Sequence, residues 1–343
     1  MSSNLEEKIL KKTQNFRTDR LVMSFGEIMN MYKENEIIIN PDFQRAFRWN
    51  EEKQTDLIES ILLGIPIPPI FVAENQFGVW ELVDGLQRVS TVLSFFGLLK
   101  TLPHKNNLIL QKGKILEEDL KSLTINNIPL RLKLLLKRSP LGIEILNRNS
   151  NEDMKYELFK RLNTTSEPLS DQEMRNAIFS GEFNKFIHEL ASEKIFINLM
   201  KPTKKQQEEM YLEELVLRYF AFKNSLEMPN GVKSHLDNYM KKINKENSFN
   251  YQDSRIEFLR IIEFINKNFG RDIFKAKNGH ITKNLYDSLT YVLREKFSKY
   301  KNNSELFNEK TKILKEDIEY KKITDKKRES RTKDRILRAL EIF

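Results

Sequence analysis

Apolar positions in the first half of the chain alternate between helical and extended spacing. Ile28, Met31 and Tyr32 fall on one side behind Ser24, a good N-cap, which predicts a helix. Ile37 to Ile39 reads as a short strand, and the loop NPDFQRAFRW follows. Asn50 is a second N-cap, with Glu51 and Glu52 in the first turn, where the helix dipole favours acids. Leu57, Ile58, Ile61 and Leu62 form one buried face of that helix, and Gly64 and Pro66 end it. IPPIFVAE and GVWELVD are two strands around a polar turn at Asn75 to Gly78. A helix opens at Asp84, with Val89, Val92, Leu93 and Phe96 toward the core. LGIEILNR reads as one more strand, and from about Asn151 the pattern is helical almost to the end. The stretch before Leu21 is a mobile arm or a short amphipathic helix.

This pattern predicts an α+β chain of two lobes, a small mixed α/β domain over residues 1–150 and a helical domain over 151–343, divided at NRNSNED. Hydrophobic residues make up 39%, enough for a sizeable core, and the net charge of +9 favours an anionic partner. A general bias toward Lys, Asn and Ile gives the same charge without any partner. Cysteine is absent, which excludes disulfides, thiolate nucleophiles and Cys-ligated zinc. The N-terminus has no apolar signal core and no long apolar span follows, so a soluble, cytoplasmic protein is expected. Lys and Arg are dense between Lys312 and Arg338, with acids interleaved, which reads as a solvated helix face or an electrostatic arm for DNA.

The junction ELVDGLQRVST concentrates candidate chemistry. One reading is local: Asp84 caps the helix and Gln87, three residues on, closes a capping box. That leaves Gly85 and Arg88 unexplained. The other reading is a phosphate cradle. Gly85 permits close backbone approach, the helix start offers N–H groups, Arg88 adds a fork of donors, and Ser90 and Thr91 add hydroxyls. Asp84 is then a carboxylate placed to hold a metal ion or orient a water.

Two further stretches carry polar groups among apolar anchors. In NPDFQRAFRW, Gln44 and Arg45 sit between Phe43, Phe47 and Trp49, and a buried Arg45 would need an acid such as Asp84. In FKRLNTTSEPLSDQEMRNAIFSGEF, Ser170 to Glu173 forms a capping box and Gly181 ends the helix. Arg161 and Asn163 occupy the preceding turn, Arg175 and Asn176 the helix itself, and a plain helix-loop-helix explains the same residues.

PDFQRAFRW, VDGLQR and FKRLNTTSEPLSDQEMRNAIF together resemble the N-terminal domain family of GmrSD-type restriction enzymes, over roughly residues 20 to 185. The resemblance implies a ParB/sulfiredoxin-like lobe that binds nucleoside triphosphate with Mg²⁺, often hydrolyses it, and serves in bacterial defence. By position, Asp84, Gln87 and Arg88 would be the catalytic residues, and Gln44, Arg45, Gly85, Ser90, Thr91, Arg161 and Asn163 would bind the nucleotide. Leu86 stands where the family has the first Gln of Asp-Gly-Gln-Gln-Arg, which weakens the case for hydrolysis more than for binding. His104, His188, His235 and His280 are too widely spaced for the HNH nuclease of larger members, so a separate nuclease subunit is an implied partner. No P-loop, G-x-S-x-G or H-E-x-x-H motif is present. Rival readings are a Mg²⁺-dependent nuclease using the same site on DNA, and a non-catalytic DNA-binding regulator.

Overall fold

The computed structural model describes residues 18–41, 47–146, 169–179, 181–246, 249–276, 279–325 and 331–343, with single positions at 5, 7, 158, 161 and 162. The chain forms two compact units, Met1–Leu169 and Ser170–Phe343. The break expected at residue 150 falls outside the described residues.

The first unit is built on a five-stranded mixed sheet of order β1-β5-β3-β4-β2. Its strands are β1 (Thr18–Ser24), β2 (Ile37–Ile38), β3 (Ile70–Glu74), β4 (Trp80–Asp84) and β5 (Pro140–Leu146). Antiparallel and parallel pairs alternate: β1 with β5 antiparallel, β5 with β3 parallel, β3 with β4 antiparallel, β4 with β2 parallel. The helices are α1 (Phe25–Glu34), α2 (Glu51–Leu62), α3 (Leu86–Phe95) and α4 (Leu130–Arg138). The α2 helix packs on α3 and α4, and α1 packs on α4.

Local chemistry explains most of these boundaries. Ser24 starts α1 with a full capping box to Glu27, and Asn35, at φ 62°, ends it. Asn50 starts α2 by accepting from the Lys53 N–H at 3.0 Å. The buried face of α1 is Phe25, Ile28, Met29 and Tyr32, with Met31 only half-buried. On α2 Leu62 is likewise half-buried, and on α3 Phe95 rather than Phe96 fills the core. Each slip is a neighbouring position about 100° round the helix.

β1 is a strand that apolar spacing does not announce. It is an edge strand whose side chains are mostly exposed, with Val22 70% accessible, and it is held by its backbone ladder to β5. β4 departs from alternation for another reason. Phe71 faces Asp84 while Val72 faces Leu82, so Val83 is one extra residue on β4. This bulge lets consecutive residues, Leu82 and Val83, both be buried.

Every regular element described in the second unit is a helix, apart from one isolated bridge between Lys275 and Ile281. It comprises α5 (Asp171–Ile178), α6 (Glu182–Ala191), α7 (Lys194–Met200), α8 (Lys204–Glu208), α9 (Tyr211–Asn224), α10 (Gly231–Lys245), α11 (Tyr251–Asn268), α12 (Lys283–Tyr300), α13 (Ser304–Glu316), α14 (Ile318–Asp325) and α15 (Thr332–Ile342). α9 runs through the middle, packed by α6, α10 and α12, and α15 closes on α12. Ser170 caps α5 with Glu173 as expected, but Phe179 ends that helix and Gly181 instead begins α6.

The polar residues of this unit are largely committed to holding helices together. Arg218 donates to both carboxylate oxygens of the fully buried Asp287, at 2.9 and 2.5 Å, and to Glu214. Arg175 donates to Asp237 at 2.6 Å and to Gln172, which in turn donates to Asn176. Buried charges need such partners. These pairs account for Arg175 and Asn176 as structural residues of a helix pair.

Candidate functional site

The candidate site lies where β4 ends and α3 begins. Gly85 is the residue that turns the chain, at φ 97° and ψ 13°, a left-handed conformation that glycine adopts without strain. A Cβ here would lie 2.4 Å from Ile70 Cγ2, so the junction also needs glycine to seat itself on the start of β3. The capping-box reading of Asp84 and Gln87 does not hold: α3 begins with no side-chain cap, and Gly85 occupies the cap position. A capping acid needs extended backbone at the residue before the helix, and here that place belongs to a left-handed glycine.

Asp84 and Gln87 are used elsewhere. Asp84 accepts from Arg88 Nη2 at 2.7 Å, one helical turn away. Burial pushes the Asp84 carboxyl above its ordinary value, against the opposing pull of the Arg88 guanidinium and the Gly85 N–H. Arg88 Nη1 donates to the carbonyls of Pro68 and Pro69, at 2.6 and 3.2 Å. Arg88 thus braces three segments: the end of β4, the first turn of α3 and the Pro-Pro approach to β3. A phosphate reaching Nη1 would compete with two carbonyl oxygens.

Gln87 points to another partner. Its Oε1 accepts from the backbone N–H groups of Arg48 and Trp49, at 3.1 and 3.2 Å. The Trp49 carbonyl accepts from Gln54 Nε2 at 2.7 Å. Just upstream, Phe47 is buried, Lys105 Nζ donates to its carbonyl, and the ammonium stands 4.8 Å over its ring. The loop expected to face the junction is therefore fastened to it at Arg48 and Trp49.

The remaining predicted residues are distributed as follows. Ser90 and Thr91 are on α3 and fully buried, and the Thr91 hydroxyl donates to the Gln87 carbonyl. Arg161 is an exposed helical position. Gln44, Arg45 and Asn163 lie outside the described residues. Leu86, at the position of the missing glutamine, is buried at 4% exposure. Sequence reasoning passed over the Pro68 and Pro69 carbonyls, Ile70 and Gln54. The Pro-Pro pair carried a signal, because two residues without N–H groups present acceptors alone.

Among the described residues no group of three or more carboxylates or histidines could hold a metal ion. Asp84 would therefore suit an ion that brings most of its ligands along. Mg²⁺ on a triphosphate is of that kind, since it keeps waters and phosphate oxygens and takes one or two carboxylates.

Several cations of the basic C-terminal segment are ion-paired where it is described. Arg338 Nη2 and Nε bind both oxygens of Asp317, at 2.7 and 3.1 Å, and Nη1 meets Glu341. Lys321 pairs with Glu316 and Lys333 with Glu227. Ile336, Ala339 and Phe343 are buried in the core. These pairs lie over a core, and each lowers the local positive field that DNA would meet.

The fold is thus a mixed α/β unit with an acid, a glycine and a braced arginine at a strand-to-helix junction, followed by a helical unit. Residues 25–180 match the family described as GmrSD restriction endonuclease, N-terminal domain, a little under half of the chain. The match contains the junction and the segment after it, as the resemblance of the three motifs implied. No curated protein and no solved structure matches the chain. Among the described residues no helix is long and apolar enough to cross a membrane.

Proposed function

We propose that this chain supplies the nucleotide-binding module of a bacterial restriction system acting against phage or modified DNA, and that the module hydrolyses nucleoside triphosphate. The observation that carries the reading is the uncapped start of α3, with Asp84 and Arg88 paired beside it, inside the segment that matches the restriction-endonuclease domain. The first N–H groups of a helix have no intrahelical acceptor, and Gly85, at the cap position, has no side chain to supply one. A phosphate is a fitting acceptor for them.

In this reading the backbone of Leu86 to Arg88 receives phosphate oxygens and Arg88 keeps Asp84 aimed at the same place. Asp84 would hold Mg²⁺ carried by the nucleotide, which would supply charge neutralisation at the phosphates. Catalysis at such a site comes from positioning and charge stabilisation. A separate nuclease subunit would carry out DNA cleavage.

The test is purified protein with Mg²⁺ and ATP or GTP, followed by calorimetry and phosphate release, with supercoiled plasmid in parallel. Binding and release that disappear in Asp84→Ala, with the fold intact by circular dichroism, support the proposal. Release that continues in Asp84→Ala removes Asp84 from the chemistry. Nicked plasmid without nucleotide turnover would move the site to the nuclease class.

A further inference from the structure

The loop before α2 is held by side-chain amides from two helices, and the hold is centred on Trp49. Gln87, from the first turn of α3, accepts from the N–H groups of Arg48 and Trp49 through one oxygen. Gln54, from the first turns of α2, donates to the carbonyl of the same Trp49. Gln54 is 7% exposed and the three bonds are partly buried, so water competes less for these groups than at the surface. Asn50 then caps α2 immediately after the clamp. Backbone that leaves a loop normally meets solvent. Here the backbone of Arg48 and Trp49 is pinned by protein side chains, and two of the three bonds run to the residue beside Arg88.

We propose that Gln87 is a positioning residue: its side-chain oxygen fixes the backbone of Arg48 and Trp49 against the first turn of α3 and so sets one wall of the candidate nucleotide site. The inference rests on the nucleotide reading only for what the wall encloses; the clamp itself rests on the two hydrogen bonds. It changes what Gln87 is for. An oxygen that accepts two backbone N–H groups is already engaged, so the side chain acts on the site through the loop it holds rather than by orienting a water with that atom.

The roles separate in one set of variants. Gln87→Glu keeps an oxygen that accepts both N–H groups and removes the amide donor. Gln87→Ala removes the acceptor. Gln54→Ala releases the Trp49 carbonyl alone. Hydrogen exchange read by mass spectrometry on peptides covering 47–53 reports the clamp without any nucleotide. Exchange in Gln87→Ala should be at least ~10-fold faster, the size of a lost buried hydrogen bond, with wild-type protection kept in Gln87→Glu. Trp49 emission, recorded in a Trp80→Phe background, should move to longer wavelength in Gln87→Ala and Gln54→Ala. Calorimetry with ATP·Mg²⁺ and GTP·Mg²⁺ should then show affinity falling in Gln87→Ala.

Unchanged exchange in Gln87→Ala overturns the clamp. Faster exchange with wild-type nucleotide affinity overturns the link from clamp to site. Loss of nucleotide binding in Gln87→Glu with full protection of 47–53 overturns the positioning role in favour of direct amide contact. Absence of binding by wild type defeats the nucleotide reading and the naming of the wall, while the exchange result still decides the clamp. If Gln87→Ala fails to fold, Gln87→Met, which keeps the length of the side chain and removes the oxygen, carries the comparison with Gln87→Glu, and unchanged exchange of 47–53 in Gln87→Met overturns the clamp.

Discussion

Gly85 sits on Ile70: a Cβ at residue 85 would come within 2.4 Å of Ile70 Cγ2 and 3.0 Å of Ile70 Cβ. The last residue before α3 and the first residue of β3 are thus in contact that leaves no room for any side chain.

Gly85→Ala therefore carries two costs at once, a left-handed backbone and a clash with a buried isoleucine. Together they should lower stability by roughly 3 kcal/mol or more. Urea denaturation of the variant would measure this. Gly85→Ala combined with Ile70→Val should recover only part of the loss, because the φ of 97° remains. A fully wild-type midpoint in Gly85→Ala would show that the junction can rearrange freely.

Arg88 and Asp84 should prove unequal partners. Removing Arg88 strands a half-buried carboxylate and two proline carbonyls, so Arg88→Ala should cost roughly 2–3 kcal/mol. Asp84→Asn keeps an oxygen for Nη2 and should cost about 1 kcal/mol. Arg88→Lys cannot reach both sides with one ammonium and should resemble the alanine variant. Thermal melts of the three proteins would rank them. Equal melting points would return Arg88 to the role of a phosphate ligand alone.

Leu86→Gln, which restores the family's motif on paper, should not create or raise phosphate release. Position 86 is buried at 4% exposure. A glutamine there gives up apolar burial and hides an amide, a loss of about 3 kcal/mol. Denaturation and phosphate-release assays on the same preparation would check both halves. Faster release with unchanged stability would mean that the side chain reaches the site.

The pH dependence of stability has an identified contributor in Glu59. Burial pushes its carboxyl up, but the N–H groups of Leu116, Ile115 and Lys114, at 2.7, 2.9 and 3.1 Å, hold it below its ordinary value of 4.5. A lowered carboxyl contributes stability that is fully present above that ordinary value and is lost as pH falls through the lowered one. Glu59→Gln turns one acceptor into a donor facing the Lys114 N–H and should cost ~1–3 kcal/mol at neutral pH. It should also flatten the acid limb that begins as pH falls below the ordinary value of 4.5. Melting curves across that range would test the slope. Asp84 has the opposite sign: its raised carboxyl favours folding at low pH and loses that contribution as pH rises through the raised value.

Local chemistry was readable in the sequence, and long-range chemistry was not. Ser24, Asn50 and Ser170 are caps because each side chain meets a backbone three residues away, and that spacing is visible in the letters. The same logic failed at Asp84 because a glycine in the left-handed region took the cap position. Its true partner, Arg88, was in view, but the Pro68 and Pro69 carbonyls that complete the brace are 20 and 19 residues away. Gln87 meets Arg48 and Trp49 across 39 and 38 residues. β1 was missed because an edge strand needs no buried face to be held, and the consecutive burial of Leu82 and Val83 needed a bulge that no periodicity encodes.

That bulge ties the hairpin to the junction. Ile70 begins β3, Asp84 ends β4, and the extra residue at Val83 fixes how far one strand has travelled when the other starts. The β3–β4 hairpin works as a ruler. Lengthening or shortening β4 by one residue would turn Asp84 to the opposite face of the sheet and slide Gly85 off Ile70. Insertions in the exposed turn around Phe77 can be absorbed, whereas a single-residue change between Trp80 and Asp84 alters strand register and site geometry in the same stroke.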